Sequence, residues 1–232
     1  MFSYNVAAKE MTDSIDLTLK NELDETVYTE SISVRKIALS YLADSEIDEK
    51  AKALVKAMLN YGSYAQEYFE YKTGALANAD LVFDESNIRN ITADDISKPY
   101  NGTNDIIPKG VKFEGATLSL KSETTLSLYF TGLTADTKFT CNGKTVETAK
   151  NGSYVVARIR GIKAEELIND FTVTFKKGNE NGSVTYSPMT YCYNAFKSET
   201  TDVKLKNVCR ALYLYGEGAV LYKKSLNEDN TA

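Results

Sequence analysis

The chain has no histidine and no tryptophan, only three prolines and three cysteines, and no apolar run long enough to span a bilayer. Each absence closes off a class of function. Without an imidazole, Ser-His-Asp and Cys-His activation of a nucleophile are impossible, as is any imidazole-ligated zinc site. Cys141, Cys192 and Cys209 are odd in number and form no close pair at ligand spacing, so a disulfide framework is not expected. With a net charge of -5 and no basic run along one face, nothing attracts a phosphate backbone or an anionic lipid surface. Neither nucleic acid nor membrane insertion by this segment is expected. The opening MFSYNVAAKEM also lacks the basic end and apolar run of a signal peptide.

What is present is a globular composition, 43% hydrophobic and 25% charged, sufficient for one large core or two modest ones. Within it one unit is written twice. Ala53 to Tyr68, ALVKAMLNYGSYAQEY, is echoed by Asn207 to Tyr222, NVCRALYLYGEGAVLY, so that Ala57, Tyr61, Gly62, Ala65 and Tyr68 recur as Ala211, Tyr215, Gly216, Ala219 and Tyr222. Upstream, IDLTLK (from Ile15) matches FTVTFK (from Phe171), and AKEM (from Ala8) matches AEEL (from Ala164), at an offset of 156 that becomes 154 across a hairpin loop of different length. Duplication is an architectural message. Both repeats read as strand, turn, strand, helix, loop, helix, which makes the fold class α+β, with antiparallel strands leading into a helix pair.

Ile15, Leu17 and Leu19 alternate with polar residues, as Phe171, Val173 and Phe175 do, so each strand is expected to turn one face to the core. Hairpin turns are expected at Asn21 to Asp24 and at Gly178 to Gly182. Helices follow at about Val34 to Leu42 and, capped by Ser45 or Asp48, along Leu54, Met58, Tyr61, Ala65 and Tyr68. In the second repeat they run from Pro188 through Phe196 and from near Asp202. Gly62 and Gly216 lie inside the long helices, where each costs roughly 1 kcal/mol relative to alanine. A close approach is therefore expected there, of the long helices to each other or to a sheet.

Residues 1–75 thus form a first repeat, 76–112 a polar linker lying over the surface, 113–226 a second repeat and 227–232 a disordered tail. ATLSLKSETTLSLYF, KFTCNGKTVETAK and GSYVVARIRG read as three strand-like stretches with turns at Asn142-Gly143 and Asn151-Gly152, all ahead of the second helix pair. The first repeat has no counterpart to them and reads as truncated at its start, with roughly 45 residues expected upstream or dispensable. An unpaired sheet edge near Phe2 to Val6 would mark the gap.

No motif carries catalytic chemistry. Ser33-Val34-Arg35-Lys36 fits S-x-x-K and Lys72-Thr73-Gly74 fits K-T-G, but the two are too close in sequence to hold a catalytic domain between them, and S-D-N is missing. Adjacent acids at Asp84-Glu85, Asp94-Asp95, Glu165-Glu166 and Glu228-Asp229 sit in polar surroundings, where solvated surface is the ordinary role; none lies in an apolar run that would raise its pKa. Asp84-Glu85 and Asp94-Asp95 are the places where calcium could be held, yet no D-x-[DN]-x-[DN]-G loop surrounds them. No phosphate-binding glycine loop occurs, and no cofactor or metal is expected. Cys192 aligns with Ala38 and Cys209 with Val55, which marks both as core thiols; Cys141, beside a turn, is the candidate for reactivity.

Sixteen tyrosines are the conspicuous surplus. A tyrosine joins a large apolar face to a hydroxyl, which suits binding surfaces and half-buried helix faces alike. Tyr61, Tyr68, Tyr215 and Tyr222 recur between repeats and are assigned to architecture. Tyr64, Tyr71 and Tyr213 do not recur, and these three are the candidate ligand-binding residues.

AKALVKAMLNYGSYAQEYFEYKT followed by LAN, and SLKSETTLSLYF with LYLYGEGAVLY, resemble a duplicated module of large surface and secreted proteins of Gram-positive gut anaerobes, over nearly the whole chain. The resemblance implies a non-catalytic extracellular or cell-surface module, a fragment of a larger protein, often beside Ig-like, leucine-rich or anchoring segments. It carries no catalytic residues to transfer. The expected partner is a host macromolecule, protein preferred; some commensals of this group display proteins that bind immunoglobulin variable domains, a sharper form of function that the pattern itself does not carry. A carbohydrate-binding module and a passive stalk are the alternatives. A protein binder should expose an apolar patch, a sugar binder a groove floored by tyrosine rings, and a stalk neither.

Overall fold

The computed structural model describes residues 4–79, 81, 88 and 90–229, with side chains through Asn227. Its class is α+β, with nine strands and five α-helices among the described residues. The first repeat opens with a 3-10 turn at Ala8–Glu10, followed by β1 (Ile15–Lys20), β2 (Thr26–Ile32), α1 (Val34–Ala43) and α2 (Glu49–Tyr68). A short helix, α3 (Ala93–Ile96), lies in the connecting segment. Then come β3 (Lys112–Leu120), β4 (Thr124–Thr131), β5 (Phe139–Cys141), β6 (Lys144–Asn151) and β7 (Tyr154–Ile159). A second 3-10 turn at Ala164–Glu166 leads into β8 (Phe171–Lys177), β9 (Glu180–Tyr186), α4 (Pro188–Lys197) and α5 (Val203–Asp229). The 3-10 turn, hairpin and helix pair of the first repeat recur in the same order in the second, where β3–β7 precede them, and α5 continues through residues 227–229.

The helix starts are written into both repeats by the same residue. Ser33 Oγ accepts the Lys36 N–H at 3.0 Å and Ser187 Oγ accepts the Thr190 N–H at 2.9 Å. Each satisfies a donor that the helix itself leaves unpaired, an effect of about 1 kcal/mol against alanine. Asp48 does the same for α2, accepting from Lys50 and Ala51. The S-x-x-K match is therefore a helix cap, and the Lys36 ammonium is engaged with the Ser31 carbonyl and Glu30.

The expectation for the two helix glycines is corrected in its partner. A Cβ on Gly62 would lie 2.7 Å from Met11 Sδ and 3.2 Å from Ala8 O, and one on Gly216 would lie 3.2 Å from Leu167 Cβ and 3.5 Å from Ala164 O. Each glycine receives the 3-10 turn of its own repeat. The long helices do pack on each other, but through Tyr61 and Tyr215, equivalent residues whose rings stack at 5.8 Å and 15°. Gly218, the counterpart of Tyr64, opens a second approach to α2, with its added Cβ 3.7 Å from Leu54 Cα.

Seven strands form one antiparallel sheet in the order β3-β4-β7-β6-β5-β8-β9. ATLSLKSETTLSLYF is two of these strands, not one, because the chain reverses at 121–123. Phe130 on β4 lies 5.1 Å from Phe175 on β8, although three strands separate them, and Phe113 on β3 lies 5.8 Å from Tyr186 on β9 at the far edge. The sheet therefore curls around an aromatic core in which Phe130, Phe139 and Phe175 are buried. The segment read as a surface linker contributes buried Ala77, Ile88, Ile96 and Val111, and Ile106 bridges to Ser183 on β9.

β1 and β2 pair only with each other, as a two-stranded sheet. Here the expectation that one face of β1 is core is corrected: Leu17 is 45% and Leu19 60% exposed, whereas their counterparts Val173 and Phe175 are 0% and 4% exposed. Among the described residues nothing like β3–β7 curls over the first hairpin. Among the described residues the outer edges of both β1 and β2 are unpaired; Tyr4 to Val6 are not strand, and Phe2 and Ser3 lie outside the described residues.

Candidate functional site

The three candidate tyrosines stand in two settings. Tyr64 and Tyr213 are partly buried and packed against the core, Tyr64 near Arg210 and Tyr213 near Asp95 and Glu217. Tyr71 belongs to a separate polar cluster. Its hydroxyl donates to Asp13 Oδ2 at 2.6 Å, Lys72 Nζ donates to Asp13 Oδ1 at 2.9 Å, and Lys9 Nζ stands 4.4 Å from the Tyr71 ring centroid. Partial burial pushes the Asp13 carboxyl up, but the Tyr71 and Lys72 donors outweigh it and hold the group below the usual carboxylate range. The cluster closes the first repeat by tying the loop after α2 to the loop before β1.

The sign of its pH dependence follows. A carboxyl whose folded-state pKa is depressed contributes stability that is present above its unfolded value and lost as pH falls through the folded value. In Tyr71→Phe we expect Asp13 to titrate closer to its ordinary pKa of about 3.9, with a smaller loss of stability on acidification. Side-chain carboxyl chemical shifts followed by NMR against pH test this.

The other sequence differences between repeats also serve connection. Gln66, fully buried opposite Val220 of the second repeat, accepts the Ala77 N–H at 2.9 Å and donates to the Ala75 carbonyl at 3.1 Å. Ser63 Oγ accepts the Asn78 N–H at 2.8 Å, and Asn60 Oδ1 accepts from Asn78 Nδ2 at 3.0 Å. These polar groups on α2 clamp the chain as it leaves the first repeat. Non-recurrence in sequence thus marks the joint between repeats.

Three acids of these pairs, Asp95, Glu165 and Glu166, have structural partners. Asp95 accepts from the Thr92 N–H and hydroxyl, both at 2.7 Å, and caps α3; Glu166 accepts the Lys163 N–H, and Glu165 pairs with Lys223. Every described carboxyl with a resolved shift is lowered, the direction opposite to that of a general acid working near neutrality. The Asp84-Glu85 pair and the Glu228-Asp229 side chains lie outside the described residues. No group of three or more His, Cys, Asp or Glu positioned to hold a metal occurs among the described residues. All three cysteines are buried, Cys141 included, and burial pushes its thiol up, away from reactivity. Contact with the Cys209 thiol, together with burial, pushes Cys192 well up.

Two surfaces remain. The first is the uncovered apolar face of β1–β2, where Leu19 stands directly opposite Tyr28 with Leu17 beside them, 60%, 49% and 45% exposed. On the following helix Ile37 and Tyr41, one turn apart, are also exposed; Ala195, the counterpart of Tyr41, is buried. The second is a groove of about 940 Å³ over the outer side of β5, β8 and β9, floored by Thr140, Thr172 and Thr174 and flanked by Lys138 and Lys176. No tyrosine lines it. Among the described residues no helix is long and apolar enough to cross a membrane. Comparison with known protein families, with curated proteins and with solved structures finds no match to this chain.

Proposed function

We propose that the chain is a non-enzymatic recognition module of an extracellular or cell-surface bacterial protein, and that its ligand is a host protein, with an immunoglobulin variable domain the first to test. The observation that supports this reading is the apolar face of the first repeat. Leu17, Leu19 and Tyr28 occupy the positions that Val173, Phe175 and Gly182 fill inside the second repeat, yet they stand in solvent. An apolar face kept in water is costly for a monomer, at about 25 cal/mol per Å² of apolar area, and that same area stabilises a complex when a partner covers it. The tyrosine beside the two leucines suits protein recognition.

The experiment is binding of purified Fab, alongside a glycan array, to the chain and to Leu19→Asp and Tyr28→Ser. Both substitutions lie at exposed sites and leave folding intact. We expect micromolar binding to Fab that falls at least tenfold in either variant and is unchanged in Tyr213→Ala. A second reading, a carbohydrate-binding module, is favoured by the threonine-floored groove. Glycan binding abolished by Thr172→Arg, with no response to Fab, would replace the first reading with it.

A further inference from the structure

We propose that β1 is a self-association edge, and that two copies of this chain pair β1 against β1, antiparallel about Thr18, to form a continuous four-stranded sheet. The hairpin is closed by the Asn21 N–H donating to the Glu25 carbonyl at 2.9 Å. Backbone direction alternates along an antiparallel strand, so Leu19 and Leu17 bond toward β2 while Asp16, Thr18 and Lys20 direct their N–H and C=O groups outward. Among the described residues nothing pairs with that outer row.

The second repeat shows what such an edge accepts. The counterpart of Thr18 is Thr174, which pairs with Thr140 on β5, their hydroxyls 2.6 Å apart; the counterpart of Leu17 is Val173, which pairs with Cys141. The partner strand is antiparallel and places a threonine against the threonine.

β1 itself meets that description. In an antiparallel pair of IDLTLK strands centred on Thr18, Thr18 faces Thr18 of the other chain, Leu17 faces Leu19 and Asp16 faces Lys20. The two-fold axis generates each unlike pair twice. Both leucine pairs fall on the apolar face, at positions without mutual backbone bonds, where side chains approach most closely. Both Asp–Lys pairs fall on the polar face. Lys20 is exposed and pairs with Asp24 at 2.8 Å in the free chain, so it can exchange one carboxylate for another without burial. A lone edge lysine deters strand pairing by repelling its own copy. Asp16 turns that repulsion into a match. Pairing at the edge leaves the broad face open and doubles it, placing Leu17, Leu19 and Tyr28 of both chains on one sheet. The inference stands independently of which ligand that face takes.

The test is sedimentation equilibrium of the whole chain from micromolar to millimolar concentration, with two charge variants. The unmodified chain should show a reversible monomer–dimer equilibrium. Asp16→Lys sets lysine against lysine and Lys20→Asp sets aspartate against aspartate, so each alone should be monomeric. Mixed in equal amounts they should form a one-to-one heterodimer, an outcome that misfolding of either variant cannot produce. Thr18→Pro removes an outward N–H while leaving the bonds to β2 intact, and should also be monomeric. A monomeric unmodified chain at millimolar concentration, a dimer that persists in both charge variants, or failure of the mixture to associate would each overturn the proposal.

Discussion

Gly132→Ala is expected to destabilise the protein by on the order of 4 kcal/mol, at the extreme of single substitutions. Gly132 ends β4 with φ +75°, and a Cβ there would stand 1.8 Å from the carbonyl oxygen of Gly110 and 2.9 Å from its carbon. Backbone is on both sides of this contact, so no rotamer can relieve it. Two costs combine: the left-handed conformation, about 1 kcal/mol for a residue with a Cβ, and displacement of the turn that feeds β3. That turn is fixed at its other end by the Val111 N–H donating to Pro108 O and by Lys109, whose N–H donates to Glu180. Moving it would disturb the first rung of the β3–β4 ladder, Lys112 opposite Thr131. Gly143→Ala is the control. Gly143 also has a positive φ, +74°, but nothing lies within 4 Å of an added Cβ, so only the conformational cost of about 1 kcal/mol remains. Guanidinium unfolding of the two variants at matched slopes reads the difference, and equal midpoints would rule out the close approach.

The repeat is legible in sequence because its determinants are local. Ser33 and Ser187 cap helices, Asn142-Gly143 closes a hairpin with both φ values positive, and each long helix carries its glycine directly after the recurring tyrosine, Gly62 after Tyr61 and Gly216 after Tyr215. The reversal at 121–123 escaped notice for the same reason. Lys121-Ser122-Glu123 contains neither glycine nor proline, the strongest turn signals, and ATLSLKSETTLSLYF keeps one apolar period across two strands. Partners between distant segments are less visible. A glycine in a helix announces that something comes close, but Met11 and Ala8 are not identified as that something by any pattern in α2. Non-recurrence between the repeats carries topology as well. Tyr71 and Gln66 differ from their counterparts because the chain leaves α2 into a packed connection, which their side chains hold. Difference between repeats reflected topology before it reflected ligand.

The sharpest consequence of the duplication is that one sequence position should behave in opposite ways in its two copies. Phe175 and Leu19 are equivalent, but Phe175 is 4% exposed, with its ring centroid 5.1 Å from that of Phe130 and 5.4 Å from that of Phe139. Its ring lies over Gly182, where a Cβ would come within 2.4 Å; the equivalent position in the first repeat is Tyr28, which fits there because Leu19 is turned to solvent. Phe175→Ala removes a ring from a curled sheet that cannot collapse around the space, and should cost about 4 kcal/mol. Leu19→Ala, at 60% exposure, should change stability by no more than about 0.5 kcal/mol. Unfolding midpoints of the two variants decide the matter. A large loss in Leu19→Ala would mean that the β1–β2 face is already covered in the free chain and unavailable to any ligand. With the expected asymmetry, leucine at position 19 contributes little to folding, and its apolar side chain is free to serve the proposed recognition face.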